Sequence, residues 1–161
     1  MSASAPTNAP ATPHGKASII ELPLQDWRSP DAAALSAQAQ QALEQGQVLH
    51  FPKLGVALSP EELALLDPAL TDPKRKNISL TPKGLAGTVA TGATRERVHG
   101  LLQRYLESTD ALLDALFPGY RAYRHSPATS LRLHAIGTWF PSWRKDDRLL
   151  HVDAFPSRPL H

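Results

Sequence analysis

Near its end the chain reads Leu149-Leu150-His151-Val152-Asp153-Ala154-Phe155. Aliphatic residues that alternate with His, Asp and Phe are typical of a β-strand, in which every second side chain lies on the same face. His151 and Asp153 would share a face and lie about 7 Å apart by the rise of a strand. Metal–donor bonds of about 2.1 Å then let both side chains reach one ion. The stretch therefore predicts a strand that carries two ligands of a metal site.

By itself, a His two residues before an Asp is a weak signal, because short motifs of this kind arise by chance. In one interpretation the two side chains only hydrogen-bond each other on a half-exposed strand. In the other, they combine with a distal His to form the 2-His-1-carboxylate set of non-haem Fe(II) oxygenases, which leaves coordination positions open for a 2-oxo acid and O2. The three residues alone leave both interpretations open.

The flanking residues are more specific. Residues 142–159 read SWRKDDRLLHVDAFPSRP, and this segment resembles the signature of the Kdo hydroxylases. These are Fe(II)/2-oxoglutarate-dependent dioxygenases that hydroxylate Kdo, the acidic sugar that joins lipid A to the core of lipopolysaccharide. The resemblance implies that His151 and Asp153 are the first two iron ligands. It also implies Fe(II) as the metal, with 2-oxoglutarate and O2 as co-substrates.

Two basic residues, Arg144 and Lys145, lie just before the predicted ligand strand. They are candidates for binding the carboxylate of Kdo or a phosphate of lipid A, since both ligands are anionic. The alternative is a solvated basic loop with no ligand.

The resemblance implies a jelly roll, or double-stranded β-helix, with N-terminal helices packed on one sheet. We predict an α+β fold made of N-terminal helices and the first strands of an incomplete jelly roll. The family's distal His and its 2-oxoglutarate-binding Arg have no counterpart here, because His161 follows Asp153 too closely to lie on a different pair of strands. We therefore expect residues 18–161 to be a truncated dioxygenase domain, preceded by a disordered tail over residues 1–17.

Local signals predict the elements that precede the ligand strand. Apolar residues recur at three- and four-residue steps over 94–117, which predicts an amphipathic helix. Ser29-Pro30-Asp31 predicts the start of a helix over 31–45 that ends at Gly46, with Ser29 as its N-cap. Ser59 and Glu62 have the spacing of a capping box at the start of a short helix. Strands are predicted at Ile19-Ile20, 48–51, around Ile78 and Leu80, 119–125, 129–136 and 149–155.

Composition narrows the function classes. The chain has 161 residues, a net charge of +2 and no cysteine, which excludes disulfides and Cys-based zinc sites. It has no basic run of the kind that binds nucleic acid, no apolar run of the roughly 18 residues that a membrane helix needs and no visible signal peptide. We expect a cytoplasmic protein of a Gram-negative bacterium and leave peripheral contact with the inner membrane open.

The predicted function is hydroxylation of the Kdo sugar of Kdo-lipid A, inactive or impaired in these 161 residues alone. The alternative is a non-catalytic remnant or binding module that keeps the helical N-terminal region. A third hypothesis, ranked below both, is another metal enzyme that completes its site with His161 or by dimerisation. His50, His99 and His125 are expected to be surface or structural residues. His134 is expected to be a residue of the strand over 129–136, and Lys74-Arg75-Lys76 a solvated turn.

Overall fold

The computed structural model of the chain describes residues 18–124 and 128–135. These residues form two compact units. The first unit contains residues 18–55 and 110–123, and the second contains residues 56–109, 124 and 128–135. The predicted tail, His125 and the whole segment 142–159 with its expected ligand strand lie outside the described residues.

The first unit is built on a pair of parallel strands. Its elements are β1 (Ile19–Glu21), α1 (Asp31–Ala34), α2 (Ser36–Glu44), β2 (Val48–His50), the end of α4 (Gly92–Leu116) and a 3-10 helix (Pro118–Tyr123). Ile19 lies opposite Val48 in the β1–β2 pair, and the two short helices form the crossover that a parallel pair requires. Both strands are predicted correctly from their β-branched and apolar residues.

The start of the first helix differs from the prediction. Pro30, rather than Ser29, occupies the N-cap position of α1, and no side chain caps this helix. The Ser29 hydroxyl instead accepts a hydrogen bond from the Asp31 amide at 3.2 Å. The helix expected over 31–45 is interrupted at Leu35, which separates α1 from α2. The predicted end is correct, because Gly46 has a φ of 73° and its amide bonds back to the Leu43 carbonyl.

Residues 119–125 do not form the predicted strand. Residues 118–123 form the 3-10 helix instead, in which the Tyr120 amide donates to the Phe117 carbonyl at 3.0 Å. Proline at the first position fixes a φ that suits a helical turn. The core of this unit consists of buried Leu22, Leu24, Ala32, Ala39, Leu112 and Leu116.

The second unit packs a three-stranded antiparallel sheet against the long helix. Its elements are α3 (Pro60–Leu63), a 3-10 helix (Pro68–Leu70), β3 (Ile78–Thr81), β4 (Gly84–Ala86), residues 92–109 of α4, and β5 (Thr129–Leu131). The strand order is β4-β3-β5, with Leu80 opposite both Leu85 and Thr129. The core consists of buried Leu65, Ile78, Leu80, Val98, Leu101 and Leu102.

Several predictions for this unit are confirmed. The long amphipathic helix is present, and α3 begins with the expected capping box: the Ser59 amide donates to Glu62 Oε2 at 2.9 Å, and the Glu62 amide donates to Ser59 Oγ at 3.3 Å. Lys74 and Arg75 lie in a turn over residues 72–75, in which the Arg75 amide donates to the Asp72 carbonyl, and Lys76 follows that turn. The strand expected over 129–136 is shorter, ending at Leu131, and β4 was not predicted.

The architecture is thus a mixture of helices and strands, as predicted. The sheets seen within residues 18–124 and 128–135 have two and three strands, so the jelly roll is taken up below as a proposal. None of the helices in this part of the chain combines the length and the apolar character needed to span a bilayer.

Candidate metal centre

The four residues expected at the site, His151, Asp153, Arg144 and Lys145, all lie outside the described residues. Their convergence on a metal or substrate therefore stays a prediction. The described helices and strands all precede these four residues in the sequence.

The described histidines occupy separate places. His50 on β2 contacts Glu21 on the neighbouring strand, with 3.2 Å between Nδ1 and Oε1, and both side chains are more than half exposed. His99 lies on α4 beside a cavity of about 310 Å³, and His134 follows β5. Within residues 18–124 and 128–135, no three His or carboxylate side chains lie close enough together to hold a metal ion. His50 is a surface residue, as expected, whereas His134 lies beyond the end of β5 at Leu131 and not in the expected strand.

Among the strands of the described residues, β5 is the nearest in sequence to the expected site, and it is hydrogen-bonded to β3. Thr129 is buried, and its neighbour Ser130 shares a hydrogen bond with Ser79 across the β3–β5 pair, with 2.8 Å between the two hydroxyl oxygens. Ser–Ser and Thr pairs across strands stabilise a sheet by a few tenths of a kcal/mol, up to about 1 kcal/mol. The segment that contains the expected ligands thus follows a strand anchored in the second unit.

An ion pair ties the start of α3 to the long helix. Arg104 binds both carboxylate oxygens of Glu62 at 2.8 Å, and its guanidinium also donates to the Ala57 carbonyl at 2.9 Å. Hydrogen bonding from Arg104, and next from the Ser59 amide, lowers the pKa of Glu62. The capping box was visible in the sequence because its residues are neighbours. Arg104 was missed because it lies 42 residues from Glu62 and only the tertiary fold brings it near.

We expect Glu62→Gln to lower the free energy of unfolding at pH 7 by roughly 0.5–1 kcal/mol, since the pair is partly exposed and the amide still fills the capping position. A pKa lowered by folding means that the carboxylate stabilises the fold above its unfolded pKa of about 4.3 and loses this effect as the pH falls through the folded value. The difference between wild type and variant should therefore shrink below about pH 4.3.

Urea unfolding at a series of pH values measures this difference. Arg104→Gln is the matched variant, because it removes the other half of the pair; it should reduce the same pH-dependent component and leave the part due to the Ser59 amide. A cost of Glu62→Gln that is equal at pH 7 and pH 3 would show that the charge pair contributes nothing.

Comparison with known proteins places the chain in a family. The family profile of 3-deoxy-D-manno-oct-2-ulosonic acid (Kdo) hydroxylase matches residues 26–161. A comparison with curated proteins finds no match.

The solved structures that resemble this chain are also Kdo hydroxylases. The Kdo hydroxylase KdoO, a non-haem Fe(II) α-ketoglutarate-dependent dioxygenase crystallised with α-ketoglutarate and Fe(III), is 39% identical over 89% of this chain, with a TM-score of 0.75. The apo form and the cobalt(II) complex are each 40% identical, with TM-scores of 0.77. The chain covers 48% of the length of each of these relatives. Because the family profile matches residues 26–161, which is most of the chain, the chain belongs to the Kdo hydroxylase family.

Proposed function

We propose that this chain belongs to an enzyme that hydroxylates Kdo on Kdo-lipid A and depends on Fe(II) and 2-oxoglutarate. The chain would provide the N-terminal helices of that enzyme and two of its iron ligands. The observation that carries the proposal is the extent of the family match, which runs through residues 26–161 and so includes His151 and Asp153. The solved relatives are dioxygenases that depend on Fe(II) and α-ketoglutarate.

The donor chemistry fits a ferrous ion. His151 offers a neutral imidazole nitrogen and Asp153 a single carboxylate, which are the two ligand types of the facial triad of non-haem Fe(II) oxygenases. The chain has no cysteine, so no thiolate competes for a softer metal. Iron held there would use O2 to insert one oxygen atom into a C–H bond, which gives the hydroxyl group, while the other oxygen atom oxidises 2-oxoglutarate to succinate and CO2.

We further propose that residues 18–161 belong to one jelly-roll dioxygenase domain, with residues 1–17 as a tail outside it. The strand over 149–155 would belong to the jelly roll and present His151 and Asp153 on one face, with Leu150 and Val152 on the other. This alternation lets one strand line a polar site and contribute to an apolar core at once.

Arg144 and Lys145 would bind the anionic part of the substrate. A guanidinium binds a carboxylate in a bidentate, planar manner, whereas an ammonium acts as a mobile point charge. Arg144 therefore suits the Kdo carboxylate and Lys145 a lipid A phosphate. A substrate of this kind is membrane-bound, so we propose a cytoplasmic protein in peripheral contact with the inner membrane.

A product assay tests the function. Because these 161 residues alone are expected to be inactive or impaired, the assay uses the chain joined to the unmatched part of KdoO. This protein is incubated with Fe(II), 2-oxoglutarate and Kdo-lipid A, and mass spectrometry follows both succinate and the glycolipid. We expect one oxygen atom to be added to the Kdo portion for each succinate formed, and no addition to lipid A that lacks Kdo. Equal oxygen addition to the Kdo-free lipid would contradict the proposed substrate.

The alternative function is a binding module that keeps the fold and performs no oxidation. This alternative predicts that neither Fe(II) nor 2-oxoglutarate changes the thermal stability of the chain. A clear ligand-dependent rise in melting temperature that Asp153→Ala abolishes would count against it.

A further inference from the structure

The second unit carries an excess of positive charge. Its described residues include nine Lys or Arg and six Asp or Glu, whereas those of the first unit include three and six. Three of the nine basic residues are consecutive, Lys74-Arg75-Lys76. An anionic surface therefore attracts the second unit and repels the first, and the strongest local attraction is expected at residues 74–76.

The three basic residues lie in a short loop, residues 72–77, whose two ends meet at the same glycine. At one end the Asp72 amide donates to the Gly87 carbonyl at 3.0 Å. At the other end the Asn77 carbonyl packs directly against Gly87, with no room for a Cβ atom between them. The loop is thus closed at its base, next to the buried Ile78 at the start of β3.

Hydrogen bonds inside the loop hold the residues at its tip. The Lys74 amide donates to Asp72 Oδ1 at 2.8 Å, and the Arg75 amide donates to the Asp72 carbonyl at 2.8 Å. Asp72 is also the only acidic residue among 72–77, so three positive charges stand against one negative charge. A basic turn that is already ordered loses little conformational freedom when it binds an anionic partner.

The tip of the loop faces solvent. Pro73, Lys74 and Arg75 are exposed. Lysine and arginine are rarely buried without an anionic partner, so a further part of the polypeptide that covered these residues would have to bring carboxylates to them. The chemistry of the loop therefore calls for a partner that carries several negative charges.

We infer that the loop over residues 72–77 is the contact of this protein with the anionic phospholipids of a bilayer. The inference rests on the proposed function at one point: Kdo-lipid A is embedded in a bilayer, so the protein has to reach the headgroups. Successive side chains of a turn diverge, which suits phosphates spread over a plane better than one enclosed phosphate. Each basic residue near an anionic surface strengthens binding about fivefold, so three of them give a reversible contact that orients the protein.

Vesicle sedimentation tests the inference on the chain as it is, without iron, 2-oxoglutarate or Kdo. One kind of vesicle consists of phosphatidylcholine, and the other of equal parts of phosphatidylcholine and phosphatidylglycerol. We expect binding to the anionic vesicles only, and weaker binding as the salt concentration rises.

The decisive variant combines Lys74→Gln with Arg75→Gln. It removes two charges at the tip and keeps the backbone hydrogen bonds of the loop, and we expect it to bind the anionic vesicles at least about 20-fold more weakly. The matched control combines Lys53→Gln with Lys83→Gln, which removes two charges from other exposed turns, one in each unit. We expect the control to bind within about twofold of wild type. Thermal unfolding checks that both double variants are folded.

Four results would overturn the inference. Equal binding to the neutral vesicles would replace charge attraction with an apolar contact, and no binding to either kind would show that the loop is no lipid contact. Equal weakening by both double variants would assign the attraction to the overall charge. Binding that appears only after Kdo-lipid A is added to the vesicles would assign the loop to the phosphates of the substrate. Because hydroxylation is measured separately by oxygen addition, each of these results leaves the proposed reaction standing.

Discussion

Replacing Asp153 with alanine is expected to weaken Co(II) binding in the presence of 2-oxoglutarate by at least about 100-fold. Loss of a partner that only orients a ligand already costs 10–100-fold in metal affinity, and Asp153 is proposed to be a ligand itself. Its carboxylate would also supply the negative charge among the protein ligands. Co(II) serves as a stand-in for Fe(II) that avoids turnover with O2, and a relative has been crystallised with it. Isothermal titration calorimetry measures the affinity.

The matched control is Asp147→Ala, which removes a carboxylate from the same segment four residues before His151. This residue is not among the proposed ligands, so we expect its variant to bind Co(II) within about twofold of wild type. Equal weakening by both variants would mean that Co(II) binds to diffuse negative charge. Wild-type affinity in Asp153→Ala would remove Asp153 from the ligand set.

The second large effect concerns the fold. Gly87→Ala is expected to destabilise the second unit by at least about 3 kcal/mol. Gly87 has a φ of 77°, a conformation that disfavours a Cβ atom. A Cβ at this position would lie 2.3 Å from the backbone carbonyl oxygen of Asn77 and 3.5 Å from the Cα of Ile78. Relief of that contact has to move the backbone next to the fully buried Ile78, so the cost extends into the core.

Alanine substitutions at two other glycines, measured by urea unfolding, separate the cost of the backbone conformation at Gly87 from the cost of the steric contact with Asn77. Gly84 also has a positive φ, of 103°, but a Cβ added there would meet no atom within 4 Å, so Gly84→Ala carries the backbone cost alone, about 1–2 kcal/mol. Gly100 lies inside α4 with open space around it, and Gly100→Ala should stabilise the protein by roughly 0.5–1 kcal/mol. A Gly87→Ala variant no less stable than Gly84→Ala would show that the approach to Asn77 is not tight.

The elements that could be predicted from the sequence are those with local causes. The helix over 92–116 follows from the repetition of apolar residues such as Val98, Leu102 and Leu116, which all prove to be buried. The capping box at Ser59 follows from two side chains three residues apart. In each case the residues that determine the structure are close together in the chain.

The errors arose where local and tertiary causes compete. Two tyrosines, Tyr120 and Tyr123, favour a strand over 119–125, but Pro118 starts a 3-10 turn shortly after the end of α4. β4 has only three residues, Gly84–Ala86, and it forms through antiparallel pairing with β3. Nothing in the sequence marks the break at Leu35. Pairing of β1 with β2 brings together residues 29 positions apart, which no local pattern specifies.

For the candidate site, residues 142–159 were enough to identify the family, and the profile match and solved relatives confirm that assignment. The roles of His151, Asp153, Arg144 and Lys145 stay predictions. His151 and Asp153 are two residues apart, so their side chains lie on the same face only if the backbone is extended. A second metal-binding histidine would come from a distant part of the sequence, and its position cannot be predicted from local spacing.

X-ray absorption at the cobalt edge tests the central claim most directly, because it reports the atoms bound to the metal. In the Co(II)-loaded protein we predict imidazole and carboxylate donors at about 2.1 Å, with the imidazole signal lost in His151→Ala and kept in His99→Ala. An imidazole signal that persists unchanged in His151→Ala would contradict the claim that His151 and Asp153 hold one metal ion together.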